Sequence, residues 1–255
     1  MRVTVISDLH GAVERPAEVA VASDVLVVLG DLINVIDYHA MDGILVDIFG
    51  REPVAEAAGH RAAGRFAEAR EALRRRTDPG LDFRARFAEL ARGQYERVLE
   101  ALPAGSVLTY GNVDLPELLR DMVPAGVRLV DGEAFELGGL RWGLVGGGVR
   151  TPLGVPGEVS DEAWEGKLSA LGEVDVVGTH MPPRVPWYCY DTVAAKFEPG
   201  SVPLLRFIRE REPRYALFGH VHQPLLGRGG IGRTELVNVG HFRASGTGWT
   251  YEAPD

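Results

Sequence analysis

The sequence predicts an α/β fold with a helical insertion. A strand, a helix and a second strand fit the first thirty residues; short apolar runs with acidic or imidazole residues at their ends resume at Val107; and the stretch between them is rich in Ala, Arg and Glu at helical spacing. Val3 to Ile6 is a β-branched run, Pro16 to Ala22 suits a helix, and Val25 to Leu29 is a continuous apolar strand of the kind buried on both faces. Residues 51–102 are expected to form two long helices parted by Thr77-Asp78-Pro79-Gly80, with Phe83, Phe87, Leu90, Val98 and Leu102 near one face. The eleven arginines there stand against nine acidic residues, which describes a salt-bridged solvent face. Further strands are expected at Val107 to Tyr110, at Ala134 to Leu137 and Leu140 to Val145 about a Gly138-Gly139 hairpin turn, and at Val174 to Gly178, Tyr215 to Phe218 and Leu236 to Val239. With no Ser- or Pro-rich linker and no internal repeat, residues 1–255 are expected to be one domain and residues 51–102 an insertion within it.

Composition narrows the function. The chain has 255 residues, 45% hydrophobic and 25% charged, as in a globular protein with a sizeable core. Its 27 basic residues against 36 acidic ones give −9, which argues against nucleic acid or an anionic membrane as the partner. Only Lys167 and Lys196 are lysines, so the arginine excess reads as coding bias. The single cysteine, Cys189, excludes an intrachain disulfide or a multi-cysteine metal site and fits a reducing compartment. Met1 to Ile6 is too short for a secretory signal and no apolar run is long enough for a membrane helix, so a cytoplasmic protein is expected.

The chemistry-bearing residues fall after strands. Asp8 and His10 follow the first, Asp31 the second, Asn112 the Val107 strand, His180 the Val174 strand, and His220 and His222 the Tyr215 strand. Open α/β sheets place ligands at such strand ends. Carboxylates, a carboxamide and imidazoles without thiolate suit manganese, iron, zinc, cobalt or nickel. Seven protein ligands are too many for one catalytic ion with an open position, but they are enough for two ions that share a carboxylate.

These residues stand in ordered blocks: Asp8-Leu9-His10, Gly30-Asp31, Gly111-Asn112-Val113-Asp114, Gly178-Thr179-His180 and Gly219-His220-Val221-His222. The set resembles the calcineurin-like metallophosphoesterase superfamily. The resemblance implies a two-layer β-sandwich flanked by α-helices and two divalent metal ions, manganese favoured. It assigns Asp8, His10, Asp31 and His222 to one ion and Asp31, Asn112, His180 and His220 to the other. It also implies a metal-bridging hydroxide as nucleophile on a small phosphoester, with no phosphoenzyme. One departure matters: many members carry His after the motif Asn, oriented by the next acid, and here Val113 stands before Asp114. The subgroup resembling bacterial phosphodiesterases lacks that His as well, so a phosphodiesterase is expected. The alternatives are a phosphomonoesterase with another donor, a nuclease, against which the charge of −9 counts, and a scaffold with little catalysis like the retromer subunit of the same subgroup.

Asn112 and Asp114 are the catalytic expectations within the motif, and His241, after the last strand, is the substitute donor. His39, in a second D-x-H spacing, and Pro182 and Tyr188, with Trp187 and Tyr190 nearby, are expected beside the substrate. His60 is expected to be solvated and Gly146-Gly147-Gly148 to be a flexible turn. The insertion is expected to cover one side of the cleft or to form a homo-oligomer contact.

Overall fold

Alternation of apolar residues along short parallel strands builds two sheets that pack face to face. The computed structural model describes residues 1–13, 16, 19, 22–75, 80–152 and 154–254. In chain order the elements begin with β1 (Arg2–Ile6), β2 (Val25–Leu29), α1 (Ile44–Phe49), α2 (Arg51–Ala62), α3 (Phe66–Arg74), α4 (Phe83–Glu100) and β3 (Val107–Thr109). Then come α5 (Pro116–Met122), β4 (Arg128–Leu129), β5 (Glu133–Leu137), β6 (Leu140–Val145), β7 (Gly148–Val149), β8 (Glu158–Val159), α6 (Asp161–Leu171) and β9 (Val176–Thr179). The chain continues with α7 (Pro186–Cys189), β10 (Tyr190–Asp191), β11 (Lys196–Phe197), α8 (Val202–Arg211), β12 (Tyr215–Phe218), β13 (Arg228–Ile231), β14 (Thr234–Asn238), α9 (Phe242–Ser245) and β15 (Trp249–Glu252).

The first sheet has the order β15-β1-β2-β3-β4 and the second β13-β14-β12-β9-β6-β5. Inner strands run parallel, and β15, β13 and β5 close the edges antiparallel. Val3, Val5, Val27 and Leu29 of the first sheet meet Trp142, Leu144, Val176, Leu217 and Val237 of the second in a buried layer. The alternate positions point outwards. Ile6, Leu26, Val28 and Leu108 pack on α4 and α5 through Ala91, Tyr95, Val98 and Leu119. Val145, Val177, Ala216 and Phe218 pack on α6 and α8 through Trp164, Leu168, Leu204 and Ile208. This period of two places every second side chain in the sandwich and the rest under helices, giving the helix-flanked two-layer sandwich that the motif blocks imply. Among the described residues no helix is long and apolar enough to cross a membrane.

Local signals set the boundaries. Gly138 and Gly139, at φ 60° and 74°, form the two-residue turn between β5 and β6. Asp82, Ser160 and Ser201 cap α4, α6 and α8 by accepting from Ala85 N, Ala163 N and Leu204 N. The helices between β2 and β3 differ from the two expected over residues 51–102. The first half of that span divides into α2 and α3 at residues 63–65, where Gly64 takes φ 72°, and the pair packs through Ala57, Ala69 and Ala72. Residues 17, 18, 20 and 21 of the helix expected at Pro16 to Ala22, and residues 77–79 of the expected turn, lie outside the described residues. Phe83 stacks on Phe49 and touches Phe87, whereas Phe87 and Leu90 pack against the first helical layer. His60 is half-buried and accepts from Arg65 Nε at 3.1 Å, so it is less solvated than expected.

Trp142 is fully enclosed between the sheets, with its indole N–H donated to Leu137 O at 3.0 Å. Trp142→Ala is expected to lower stability by about 3–5 kcal/mol, read from urea unfolding midpoints, because the sandwich cannot collapse into the void.

Candidate metal centre

Parallel strands from both sheets end at one edge of the sandwich, and their loops are stitched together there. Asp8 N donates to Gly30 O at 3.1 Å, His10 N to Asp31 O at 2.9 Å, Gly219 N to His180 O at 3.0 Å and Val239 N to Phe218 O at 2.8 Å. Such contact leaves no room for side chains at the motif glycines. A Cβ on Gly111 would collide with the Asp31 carboxylate, and one on Gly219 with Ser7 Oγ and the Asp8 carboxylate.

The side chains gather in two overlapping groups. In the first, Asp8 Oδ1 lies 3.6 Å from His10 Nε2 and 3.3 Å from His222 Nε2, and the two imidazole nitrogens are 3.2 Å apart. In the second, His180 Nε2 lies 3.3 Å from Asp31 Oδ2 and 3.0 Å from Asn112 Oδ1, with the His220 ring 5.2 Å away edge-on. Asp31 Oδ2 is also 4.0 Å from His10 Nε2, so one oxygen borders both groups. Backbone contacts aim the nitrogens: His180 Nδ1 meets Leu29 O at 3.0 Å and His10 Nδ1 meets Ile33 O at 3.4 Å, which turns each Nε2 toward the cluster.

The donor set fits divalent cations. Ligand atoms of Asp8, Asp31 and His180, and separately of His10, His222 and His241, lie within 4.8 Å of one another. Asp8 Oδ1, His220 Nε2 and His241 Nε2 are buried and have no hydrogen-bond partner among the described residues, a costly arrangement for polar atoms unless a cation takes their lone pairs. Electrostatics agree. Burial opposes ionisation of Asp8, but the adjacent imidazoles of His10 and His222 hold its carboxyl well below the usual range. Asp31 is likewise lowered against burial, chiefly by His180. Burial disfavours the charge on His180, yet Asp31 and Asp8 push it up to about 9, while burial and the neighbouring His180 push His220 down to about 4. The pocket attracts positive charge: a cation at His180 Nε2 would take the place of its proton, while His220 is already neutral.

The structure therefore brings together Asp8, His10, Asp31, Asn112, His180, His220 and His222, and it adds His241, whose ring stacks on His222 at 3.8 Å. The other expected site residues lie outside these two groups. His39 is exposed, its N–H bound to Asp37 Oδ1 at the surface, and it stays outside the cluster. Tyr188 is 1% exposed and packs edge-on against Phe218, because α7 turns it into the second helical core. Pro182 is also buried, and its carbonyl accepts from Ser201 N at 2.8 Å, so it ties the chain after His180 to the start of α8. Asp114 is fully buried and accepts from Gly111 N at 2.8 Å, Leu32 N at 3.1 Å and Tyr95 Oη at 3.0 Å. It braces the loops and touches no open space. Gly146-Gly147-Gly148 is likewise no flexible turn: a Cβ at Gly148 would strike Asn112 Cβ and one at Gly146 would lie 2.6 Å from Thr109 Oγ1, so the segment is a tight seam between the sheets.

Arg243 has no counterpart in the sequence reading. It donates to His10 O at 2.8 Å and to Asp42 Oδ2 at 2.9 Å, tying the His10 loop to the turn after β2. Only its nearness to His241 in sequence could have pointed to it.

Comparison with known proteins agrees with this architecture. The family model described as calcineurin-like phosphoesterase matches residues 1–224, which include all five motif blocks. No curated protein matches the chain. A match over that length, with the strand-end residues converging as found here, establishes that the chain belongs to the calcineurin-like phosphoesterases.

Proposed function

We propose that this metal-dependent phosphohydrolase is a phosphodiesterase acting on small diesters at a two-metal site. The observation that carries the two-metal reading is Asp31 Oδ2, placed 3.3 Å from His180 Nε2 and 4.0 Å from His10 Nε2, so that one carboxylate serves both groups. Asp8, His10 and His222 complete one set with Asp31; Asn112, His180 and His220 complete the other. What a bound pair of divalent cations supplies, manganese favoured, is acidification of a water and neutralisation of phosphate oxygens during in-line attack.

The protein's own residues favour diesters. Val113 offers no proton at the position after Asn112, and its side chain packs toward the first helical core. Asp114 spends its oxygens on two amides and a tyrosine hydroxyl, so it does not protonate a departing alkoxide. A site without a general acid suits substrates with stable leaving groups, since such an acid contributes about 10²–10⁴-fold. The net charge of −9 supports a small substrate over a long nucleic acid, and the lone Cys189 fits a cytoplasmic setting.

His241 favours a second reading, in which it donates the proton for monoesters. Its Nε2 is buried beside His222 and has no hydrogen-bond partner among the described residues, so it is open either to a cation or, in this second reading, to a leaving oxygen. Burial and the His222 ring lower it to about 4, so at neutral pH the ring is neutral and only an N–H, not an imidazolium, is on offer.

Metal analysis of protein prepared without chelator is expected to find about two equivalents per chain. Asp31→Asn should lose both, whereas His10→Ala should lose mainly one; retention of both ions by Asp31→Asn would refute the shared carboxylate. For activity, bis-(4-nitrophenyl) phosphate should be turned over faster than 4-nitrophenyl phosphate across a panel of metals. Faster monoester turnover, abolished about 10²–10⁴-fold by His241→Ala with diester hydrolysis spared, would favour the second reading.

A further inference from the structure

The insertion between β2 and β3 reaches the ligand loops through two consecutive side chains of α4. Tyr95 is fully buried; its hydroxyl donates to Asp114 Oδ1 at 3.0 Å and accepts from Leu115 N at 2.8 Å. Asp114 in turn holds Gly111 N and Leu32 N, the amides directly before Asn112 and directly after Asp31. Gln94 accepts from Asn34 N at 2.6 Å and donates to Asn34 O at 3.3 Å, gripping the continuation of the Asp31 loop. The loop carrying His10 joins the same assembly, because Gly11 N donates to Leu32 O at 2.7 Å.

Asp114 is the acid that, in the family pattern, would orient an imidazole at position 113. With Val113 there, the remaining lone pairs need another donor, and a helix outside the motif blocks provides it. A buried carboxylate short of one donor is costly and relaxes toward whatever donors remain. Here those donors are the amides that set the spacing of Asp31 and Asn112.

We infer that Tyr95 is a positioning residue of the metal centre: acting through Asp114, it fixes the loops that carry Asp31 and Asn112, which makes the insertion helix part of what determines metal affinity. This deepens the two-metal reading and rests on it. The plain alternative is that Tyr95 only fills the core, in which case its hydroxyl would affect stability but not metal binding.

The test uses full-length wild type, Tyr95→Phe, Asp114→Asn and the double variant, each stripped with chelator and titrated with Mn²⁺ by electron paramagnetic resonance and with Co²⁺ by visible absorption. Tyr188→Phe removes another buried hydroxyl, one that has no hydrogen-bond partner among the described residues and sits in the second helical core instead of on Asp114, and is the control. Tyr95→Phe should weaken metal binding by about 10–100-fold, the usual effect of losing a group that orients ligands, and should alter the Co²⁺ spectrum, while Tyr188→Phe leaves both unchanged. The double variant should bind no more weakly than Asp114→Asn alone. Binding by folded Tyr95→Phe within two-fold of wild type would overturn the inference, and so would fully additive losses in the double variant. Should Asp114→Asn fail to fold, Tyr95→Phe against the control still decides. Wild type that binds neither metal would overturn the metal reading itself, a result distinct from an unchanged Tyr95→Phe.

Discussion

Asp8, Asp31 and Asp114 are buried close enough to repel one another, and nearly every feature of the ligand edge answers that repulsion. An uncompensated ion in a protein interior costs several kcal/mol. Each carboxylate has its own remedy here. Asp8 accepts from His220 N at 3.0 Å and faces two imidazoles, Asp31 accepts from Val113 N at 3.2 Å and faces His180, and Asp114 collects two amides and a phenol. Asp114, with neutral donors only, is the one pushed up, to about 6, by burial and by Asp31. The partners come from both sheets and from the insertion, so the charge problem is solved only by the assembled fold.

The backbone bears a related burden. Asp8, His10, Asp31 and His220 adopt left-handed conformations, with φ of 59°, 43°, 52° and 68°. Asp and His enter this region more readily than most residues, yet each such position still costs on the order of 1–3 kcal/mol. The strain persists because the loops are over-determined: strands hold one side, glycine close approaches the other, and Arg243 clamps His10 O. The dense apolar layer between the sheets supplies the rigidity that lets an edge of strained, charged loops keep its shape.

What the sequence made legible followed from short-range rules. Strands announced themselves by β-branched runs, and the ligands by lying one to four residues past strand ends in ordered motifs. Tyr95 and Gln94 gave no such signal, because their partners lie 19 and 60 residues away and nothing in an amphipathic helix marks which buried position carries a functional hydroxyl. Arg243 meets Asp42 across 201 residues and was equally silent. Tyr188 misled for the opposite reason: an aromatic close to a site motif looks available, but the one-turn helix α7 points it inward. The glycine triplet misled because a run of glycines signals freedom and tight contact alike, and only the neighbouring Asn112 loop tells which.

The convergence of strand ends also bears on how the molecule comes into being. The clustered residues extend from Asp8 to His241, and the strands that present them are joined by long crossovers. Contacts of such separation form late and slowly, since the chain must first surrender the entropy of closing large loops. A nascent chain that has emerged only as far as the loop after β3 would carry Asp8, His10, Asp31 and Asn112 but none of the imidazoles from the second sheet. It would also expose parallel strands with unpaired edges. Cation capture is therefore an event of the finished chain, and the pull of a cation on folding acts only on the last steps of assembly.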